Sequence, residues 1–590
     1  MSSDPQQDSS FQFVPEWAKG IVWYQIFPER FCRGRHDNDP RLSDQLNSWP
    51  HDQTSPYETH PWTADWYTRQ PYEQENGLNL SDTLQRRRYG GDLTGVLQKL
   101  DYLSDLGVQA VYFNPLFEAP SSHKYDAATW HHIDPTFGPD PEGDRALIAA
   151  ETPDDPSTWG WTSADKLFLE IVEKMHARGI YVIIDGVFNH MGLNSWVYQD
   201  LVEKQRESKF SSWMKVEKWA DETEDGRTVV RTWEGYKELP EIMQNRGGIL
   251  PGPRGYIFDI TRRWMDPLGN GDLSKGIDGW RLDVAFCIKH PFWKRWRKHV
   301  RSINPEAFLL AEVIDTPEKQ RPYLKGDEFD AVMNYNFAFA LSEFFIRKHR
   351  NVPPTELAAK LKELREAYPA QVSEVMHNLL SSHDTDRVAS RIMNAHLFTM
   401  RNWSQYYERA KMVNPKYKTG KPDAAGRHTH KLMVILQMTY PGSPVIYYGD
   451  EAGLWGPNDP CNRKPMLWPE LTYDPEKSFP NEAERAPEAV GFDHELYDHH
   501  KTLIALRKAH PELANGGYRD LIADDAASVF AFERYTSAGR CAIIINTGAE
   551  AYAFTNPAYQ NGKLLFGLNA SQHKNGRISI AARGAGIVTC

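Results

Sequence analysis

Gly279-Trp-Arg-Leu-Asp-Val284 and Phe308-Leu-Leu-Ala-Glu-Val313 share one pattern from which the architecture can be inferred. Each is an apolar run closing on a carboxylate, Asp283 in the first and Glu312 in the second. Each carboxylate stands where a strand would hand over to a loop. A closed parallel barrel gathers its strand ends at one rim, and barrel enzymes carry their chemistry there. Two carboxyl groups in different electrostatic settings are what cleavage of a glycosidic bond requires.

The same pattern recurs along the chain in both directions. Residues 21–27, 108–114, 181–187, 277–284, 308–313, 331–335, 379–382 and 444–448 read as eight buried strands. Amphipathic stretches such as 93–106 and 164–178 lie between them. Alternation of strand and helix predicts a parallel sheet, and eight such units predict an α/β fold of the (β/α)8 TIM barrel type. From pattern alone an open doubly wound sheet is the alternative. Three stretches break the rhythm: an aromatic insertion at 33–88, a long excursion at 191–258, and a polar, basic run at 395–428. Long loops inside compact domains are uncommon and often functional. From about 515 short alternating runs with Gly-rich turns predict a C-terminal all-β sandwich domain. The expected division is a tail at 1–20, a barrel in two parts at 21–190 and 259–514, an inserted domain at 191–258, and the β domain at 515–590.

Bulk properties exclude several classes. The 590 residues carry a net charge of −11, which argues against nucleic acid or an anionic membrane as partner. Aromatics make up 12% of the chain, including 19 Trp, which suits a protein that stacks flat faces on sugars. The five cysteines are scattered with no CxxC, so neither a zinc ribbon nor a disulfide framework is expected. Residues 1–10 are polar with no apolar core of a leader, and no apolar run reaches membrane-spanning length. The expectation is a cytoplasmic protein with no membrane partner.

The strand ends carry the chemistry. Arg281 lies two residues before Asp283 and so on the same face of a strand. A guanidinium there is expected to hold the Asp283 carboxyl low, as a nucleophile needs. Glu312 follows Leu309-Leu-Ala311, and this apolar approach is expected to favour its protonated form, as a general acid needs. The third strand closes on Asp185-Gly-Val-Phe-Asn-His190, and the seventh on Ser381-Ser-His383-Asp384. So many polar groups at one rim are better explained by a binding site than by chance, because each is costly to bury unpaired.

These motifs resemble the four signatures of the α-amylase family of glycoside hydrolases: 185–190, 279–284, 311–313 and 383–384, in that order. The resemblance is greatest to the cyclomaltodextrinase, neopullulanase and maltogenic amylase group. Trp23-Tyr-Gln-Ile-Phe-Pro-Glu-Arg-Phe31, Gly90-Gly-Asp92, His123-Lys-Tyr-Asp126 and Tyr447-Tyr-Gly-Asp-Glu451 support it. The resemblance implies a retaining hydrolase of α-1,4 bonds in cyclodextrins and maltodextrins. Asp283 would be the nucleophile and Glu312 the acid and then the base. Asp384 would bind hydroxyls and strain the ring. Arg281, His190 and His383 would support the same sugar, Tyr125 would stack on it beside His123, and Asp459 and Arg463 would contact the next sugar. Asp185 would orient its neighbours. Retention implies carboxyl groups about 5–5.5 Å apart. A transglycosylase using the same intermediate, and an inactive binding protein on the same fold, are the alternatives.

Three departures from the group stand out. Some twenty residues precede the first strand, where the group carries a β domain that builds a dimer, so a monomer or a dimer of another kind is implied. Phe286-Cys287 stand where the group has Asn-Glu, which implies a different acceptor preference. The group's structural calcium would fall at Asn38, Asp39, Gly90 and Asp92, but Arg33 and Arg35 replace two oxygen ligands of a metal that needs about six to eight. An arginine there could supply the positive charge itself by pairing with Asp39 or Asp92. No cofactor is implied for the chemistry.

Overall fold

The computed structural model describes residues 12–346, 352–397, 403–573 and 577–590, so most of the expected tail and residues 398–402 of the basic run lie outside the described residues. Eight parallel strands run in chain order Trp23–Ile26, Ala110–Phe113, Tyr181–Gly186, Gly279–Leu282, Phe308–Ala311, Ala331–Val332, His377–Leu379 and Ser443–Tyr447. Neighbours in sequence are neighbours in space, and the first strand pairs with the eighth. A bridge between Met333 and His377 joins the sixth strand to the seventh, with the Asn334 N–H donating to the His377 carbonyl at 2.8 Å. The sheet therefore closes into a barrel. The strands are buried on both faces, which is why they read as unbroken apolar runs. Gly279 opens the fourth strand because a Cβ there would sit 1.9 Å from the Phe308 carbonyl oxygen.

At the N-terminal end of the barrel, rings plug the opening. Trp23 packs against Phe308 and His377, and Trp17 stacks on Tyr181 with centroids 4.0 Å apart. Between strands, helix Ser163–His176 begins at a reciprocal cap, in which Thr162 Oγ1 accepts the Asp165 N–H and Asp165 accepts the Thr162 N–H.

Several boundaries differ from the sequence reading. The expected helix at 93–106 is two helices, Leu93–Gln98 and Leu100–Leu106, because Lys99 leaves helical geometry at φ −104°, ψ 10°. The seventh strand starts at His377 and ends at Leu379, so residues 380–384 already belong to the rim loop. The sixth ends at Val332, and Tyr335 opens helix Tyr335–Phe345. Helix Pro251–Met265 runs unbroken through the boundary expected at 258. Its first turn, Pro-Gly-Pro, has the composition of a loop, yet proline is well placed where a helix N-terminus has no carbonyl to donate to.

The excursion after the third strand holds helix Trp196–Lys204 and two short hairpins, Val216–Lys218 with Val229–Val230 and Gln244–Asn245 with Gly248–Ile249. The aromatic insertion wedges between this excursion and the loop after the eighth strand. Trp66, Tyr67, Leu80, Leu84 and Tyr89 share an apolar cluster with Met412 and Cys461. On its other flank, Asn47 Nδ2 donates to Asn194 Oδ1 at 2.6 Å and His51 pairs with Glu238.

Six antiparallel strands between Gly517 and Thr589 make the C-terminal unit. Their two-residue period sorts side chains into two apolar layers. Phe530, Phe532, Ile543 and Ile545 join the barrel core, while Val529, Ala531, Ala542 and Ile544 form a separate cluster to which all six strands contribute. Buried Arg534 ties the unit to the barrel, donating to the carbonyls of Thr439 and Leu513 at 2.8 Å each. Among the described residues no helix is long and apolar enough to cross a membrane.

Candidate active site

At the C-terminal rim the polar side chains converge on one guanidinium. Arg281 is fully buried in the fourth strand. Its Nη1 donates to both oxygens of Asp185 and to Asp283 Oδ1, each at 2.9 Å. Its Nη2 lies 2.9 Å from Glu312 Oε2 as an ion pair. Asp283 and Glu312, from neighbouring strands, are thus held by adjacent nitrogens of one planar group. Val284, directly after Asp283, sits at φ 38°, ψ 46°, a left-handed conformation that is costly for a β-branched residue. This turn aims the Val284 N–H at Glu312 Oε2, at 2.9 Å. Strain at this position is therefore coupled to placement of the second carboxylate.

The electrostatics differ from the sequence expectation. Burial pushes the Asp283 carboxyl well above the usual carboxylate range, and although Arg281 pulls it down, Glu312 and Asp185 push it further up. Burial outweighs the guanidinium, and Arg281 does not serve Asp283 alone but is divided among three carboxylates. Asp384 is pushed up to about 7 by burial first and by Glu312 second. Carboxyl groups packed this closely titrate as a set, so the protons of the cleft belong to the cluster rather than to one residue.

A second network fixes the sugar-facing rings. Gln25 Nε2 lies 2.8 Å from His383 Nδ1, and His383 Nε2 lies 2.6 Å from the Tyr125 hydroxyl, which donates to Asp185 Oδ2 at 2.9 Å. With the Gln25 amide assigned as donor, the neutral His383 carries its proton on Nε2. Burial holds His383 far below its ordinary value, consistent with that neutral form. Tyr125 and His383 lie nearly parallel, at 10° with centroids 5.5 Å apart. His123 Nδ1 accepts the Tyr125 N–H at 3.1 Å, with Lys124 between them at φ 62°. His190 packs against the Tyr125 backbone and stacks under Trp233, and its buried Nε2 has no partner among the described residues. Burial takes the His190 imidazole down to about 3, so it is a neutral group available to a ligand hydroxyl. Arg463 pairs with Asp459 at 3.1 Å and donates from Nη2 to the His383 carbonyl at 3.0 Å, joining the loop after the eighth strand to the seventh.

His123, Tyr125, His190, Arg281, Asp283, Glu312, His383, Asp384, Asp459 and Arg463 therefore occupy one rim. Sequence reading passed over three groups that shape it. Tyr335 donates to Asp384 Oδ2 at 3.1 Å; Asn114 Nδ2 donates to the Tyr125 hydroxyl at 3.0 Å; Gln25 orients His383. The signal for Gln25 was a polar residue inside an apolar strand. Tyr335 carries no such signal, since it opens a helix.

Asn38, Asp39, Gly90 and Asp92 lie elsewhere, beside the start of helix Leu93–Gln98, and their donors and acceptors do not fit calcium. The Arg33 guanidinium pairs with Asp39. Asp92 accepts from the N–H groups of Gly34, Arg35 and Gly95 and from Asn38 Nδ2. Both carboxylates are thus spent on nitrogen donors, and Gly90 (φ 74°) leaves room for Asp39, whose Oδ1 lies 2.5 Å from where a Cβ would be. Arg33 supplies a positive charge beside Asp39.

The model of the alpha-amylase catalytic domain matches residues 25–151 and 161–516. The chain belongs to the α-amylase family. As a member of this family it is a glycoside hydrolase. It is 32% identical over 557 residues to a cyclomaltodextrinase of Geobacillus thermopakistaniensis, covering 94% of this chain and 73% of that one. Neopullulanase 2 of Thermoactinomyces vulgaris is 32% identical over 537 residues, 91% of this chain and 71% of the relative. Among solved structures, the cyclic α-maltosyl-(1→6)-maltose hydrolase of Arthrobacter globiformis aligns with a TM-score of 0.69 at 26% identity, covering 98% of this chain and 100% of that chain.

A pH prediction follows for this α-amylase family member. A carboxyl raised from about 4 takes up a proton on folding, so it favours the fold at low pH, and that contribution is lost as the pH rises through its folded value. For Asp384 that value is about 7. Asp384→Asn, which cannot ionise, is therefore expected to gain stability over the parent as pH rises from about 4 toward 7. Chemical denaturation of both proteins across that window checks it, and a constant difference would contradict the raised value.

Proposed function

We propose that this protein is a retaining α-glucan hydrolase cleaving α-1,4 bonds of cyclodextrins and maltodextrins. The observation that carries the proposal is the pairing of Asp283 and Glu312 with adjacent nitrogens of Arg281 at the mouth of the barrel. Asp283 attacks the anomeric carbon while Glu312 gives its proton to the departing glycosidic oxygen. Glu312 then takes a proton from water as the water oxygen displaces Asp283 from the same carbon. Two displacements restore the original configuration. Asp384 binds ring hydroxyls, and the unpartnered His190 Nε2 takes another. Tyr125 and His383 offer the stacking wall, and Asp459 with Arg463 receives the neighbouring sugar. No coenzyme takes part in these steps. Cyclomaltodextrinases and a neopullulanase among the relatives support the substrate class, and an intracellular maltogenic amylase of Bacillus subtilis supports cytoplasmic location.

Incubation with β-cyclodextrin and maltoheptaose, with the fresh anomer followed by NMR, tests the reading. Release of maltose or glucose in the α form is expected; no cleavage of either substrate would defeat it. Products longer than the substrate would favour transfer over hydrolysis. A second reading is a cyclic α-maltosyl-(1→6)-maltose as preferred substrate, favoured by the match along the whole of the Arthrobacter chain. Including that compound in the same assay decides between them by kcat/KM.

The aromatic insertion is proposed to wall the cleft, since it touches both the excursion and the loop of Asp459 and Arg463. A variant lacking residues 45–80 is expected to melt at lower temperature and to lose preference between cyclic and linear substrates. Unchanged melting and preference would refute this.

A further inference from the structure

We propose that His131, His132 and Glu151 form a binding site for a zinc-type divalent cation. The loop leaving the second strand carries Trp130-His-His-Ile133, just beyond Tyr125. Its two histidines turn toward the segment that follows helix Pro141–Ala149. His132 Nε2 lies 2.8 Å and His131 Nε2 3.5 Å from Glu151 Oε2. One donor atom of each residue falls within 4.8 Å of the other two, and the three side chains are 0–3% exposed. A tetrahedral zinc about 2.0–2.1 Å from its ligands sets them about 3.3 Å apart, a separation the two contacts bracket.

The surroundings orient the ligands as a metal site requires. His132 Nδ1 lies 2.8 Å from Asp165 Oδ2, the carboxylate–histidine arrangement that fixes a tautomer and presents the other nitrogen to a metal. His131 Nδ1 lies 2.6 Å from the Tyr256 hydroxyl, and its ring is stacked on Trp159 at 7° with centroids 4.2 Å apart. The other Glu151 oxygen accepts the Gly160 N–H at 2.6 Å, which leaves Oε2 for the cluster. Two carboxylates, Glu151 and Asp165, face one guanidinium, Arg263, whose Nη2 lies 3.2 Å from Asp165. His131 also lines a cavity of about 310 Å³ shared with Glu118, Thr129 and Trp196, so the cluster lies beside open space in the protein. A metal here would pin the loop that carries His123 and Tyr125 to the segment after helix Pro141–Ala149, so its role is structural rather than chemical.

The test uses the full-length protein stripped with a chelator and dialysed against zinc or cobalt(II). One zinc per chain retained through gel filtration, a visible cobalt spectrum of tetrahedral intensity and a raised melting temperature are expected. His131→Phe keeps a ring on Trp159 but removes a donor, and it is expected to weaken zinc by about 100-fold or more, beyond the 10–100-fold typical of losing an outer partner such as Asp165. Failure of the parent to retain zinc, or zinc binding by His131→Phe equal to the parent's, would overturn the proposal. Should that variant not fold, X-ray absorption of the zinc-loaded parent decides: a shell of nitrogen and oxygen with two imidazoles supports the site, and a sulfur-containing shell rules it out.

Discussion

Asp283→Asn is expected to lower turnover by about four orders of magnitude, which is about 5.5 kcal/mol of barrier, while the fold stays intact. The amide has the shape of the carboxylate but cannot form the glycosyl ester. The substitution also removes one of the three carboxylates around Arg281, leaving Asp185 and Glu312 to share it. Asp283 is already pushed well above the usual carboxylate range by burial and its neighbours, so its charge costs the fold stability at neutral pH. The variant is therefore expected to unfold at the same denaturant concentration as the parent, or a higher one. Loss of activity accompanied by loss of structure, or retained turnover, would contradict the nucleophile assignment. Glu312→Gln separates the second role. On maltodextrins it is expected to lose about 10²–10⁴ in rate, the usual share of a general acid–base. On a maltosyl fluoride, whose leaving group needs no proton, the formation of the glycosyl enzyme should be largely spared.

The second large effect is on stability. Arg281→Met strips the counter-charge from Asp185, Asp283 and Glu312, whose side chains are at most 9% exposed. Breaking a buried ion pair from one side costs about 3–5 kcal/mol, because the remaining charge is left uncompensated. The cost depends on pH with a definite sign. Carboxyls whose folded values are raised favour the fold while protonated and penalise it as the pH climbs. The deficit of Arg281→Met is thus small near pH 4 to 5 and grows toward pH 8, about the carboxylate and neutral ranges. Adding Asp185→Asn returns part of the loss, since one of the stranded charges is gone; the double-mutant cycle measures their coupling. A deficit that is flat with pH, or absent, would show that the guanidinium does not balance this cluster.

The barrel was legible because its strands are buried on both faces and so appear as short apolar runs at steady spacing. Residues that end those runs are brought near one another by topology: the C-terminal ends of barrel strands share one rim, and alternate side chains there face it. That is why Asp185, Arg281, Asp283, Glu312 and Asp384 could be brought to one site from sequence. Less legible were the places where composition misleads. Pro251-Gly-Pro253 looks like a loop and opens a helix, while 380–382 look like a strand and form the rim loop. Nor does sequence show where one charge is shared among several partners.

What the chain determined by itself is therefore the periodic part: eight strands, the rim they present and the carboxylates on that rim. The protonation logic of the cleft and the company each residue keeps arise only when the chain has folded. Arg281 and Asp283 are neighbours in sequence, but Asp185 and Glu312 reach the same guanidinium from other strands. A pKa depends on every charge within a few ångströms in a medium that screens poorly, and those distances exist only once the barrel has closed.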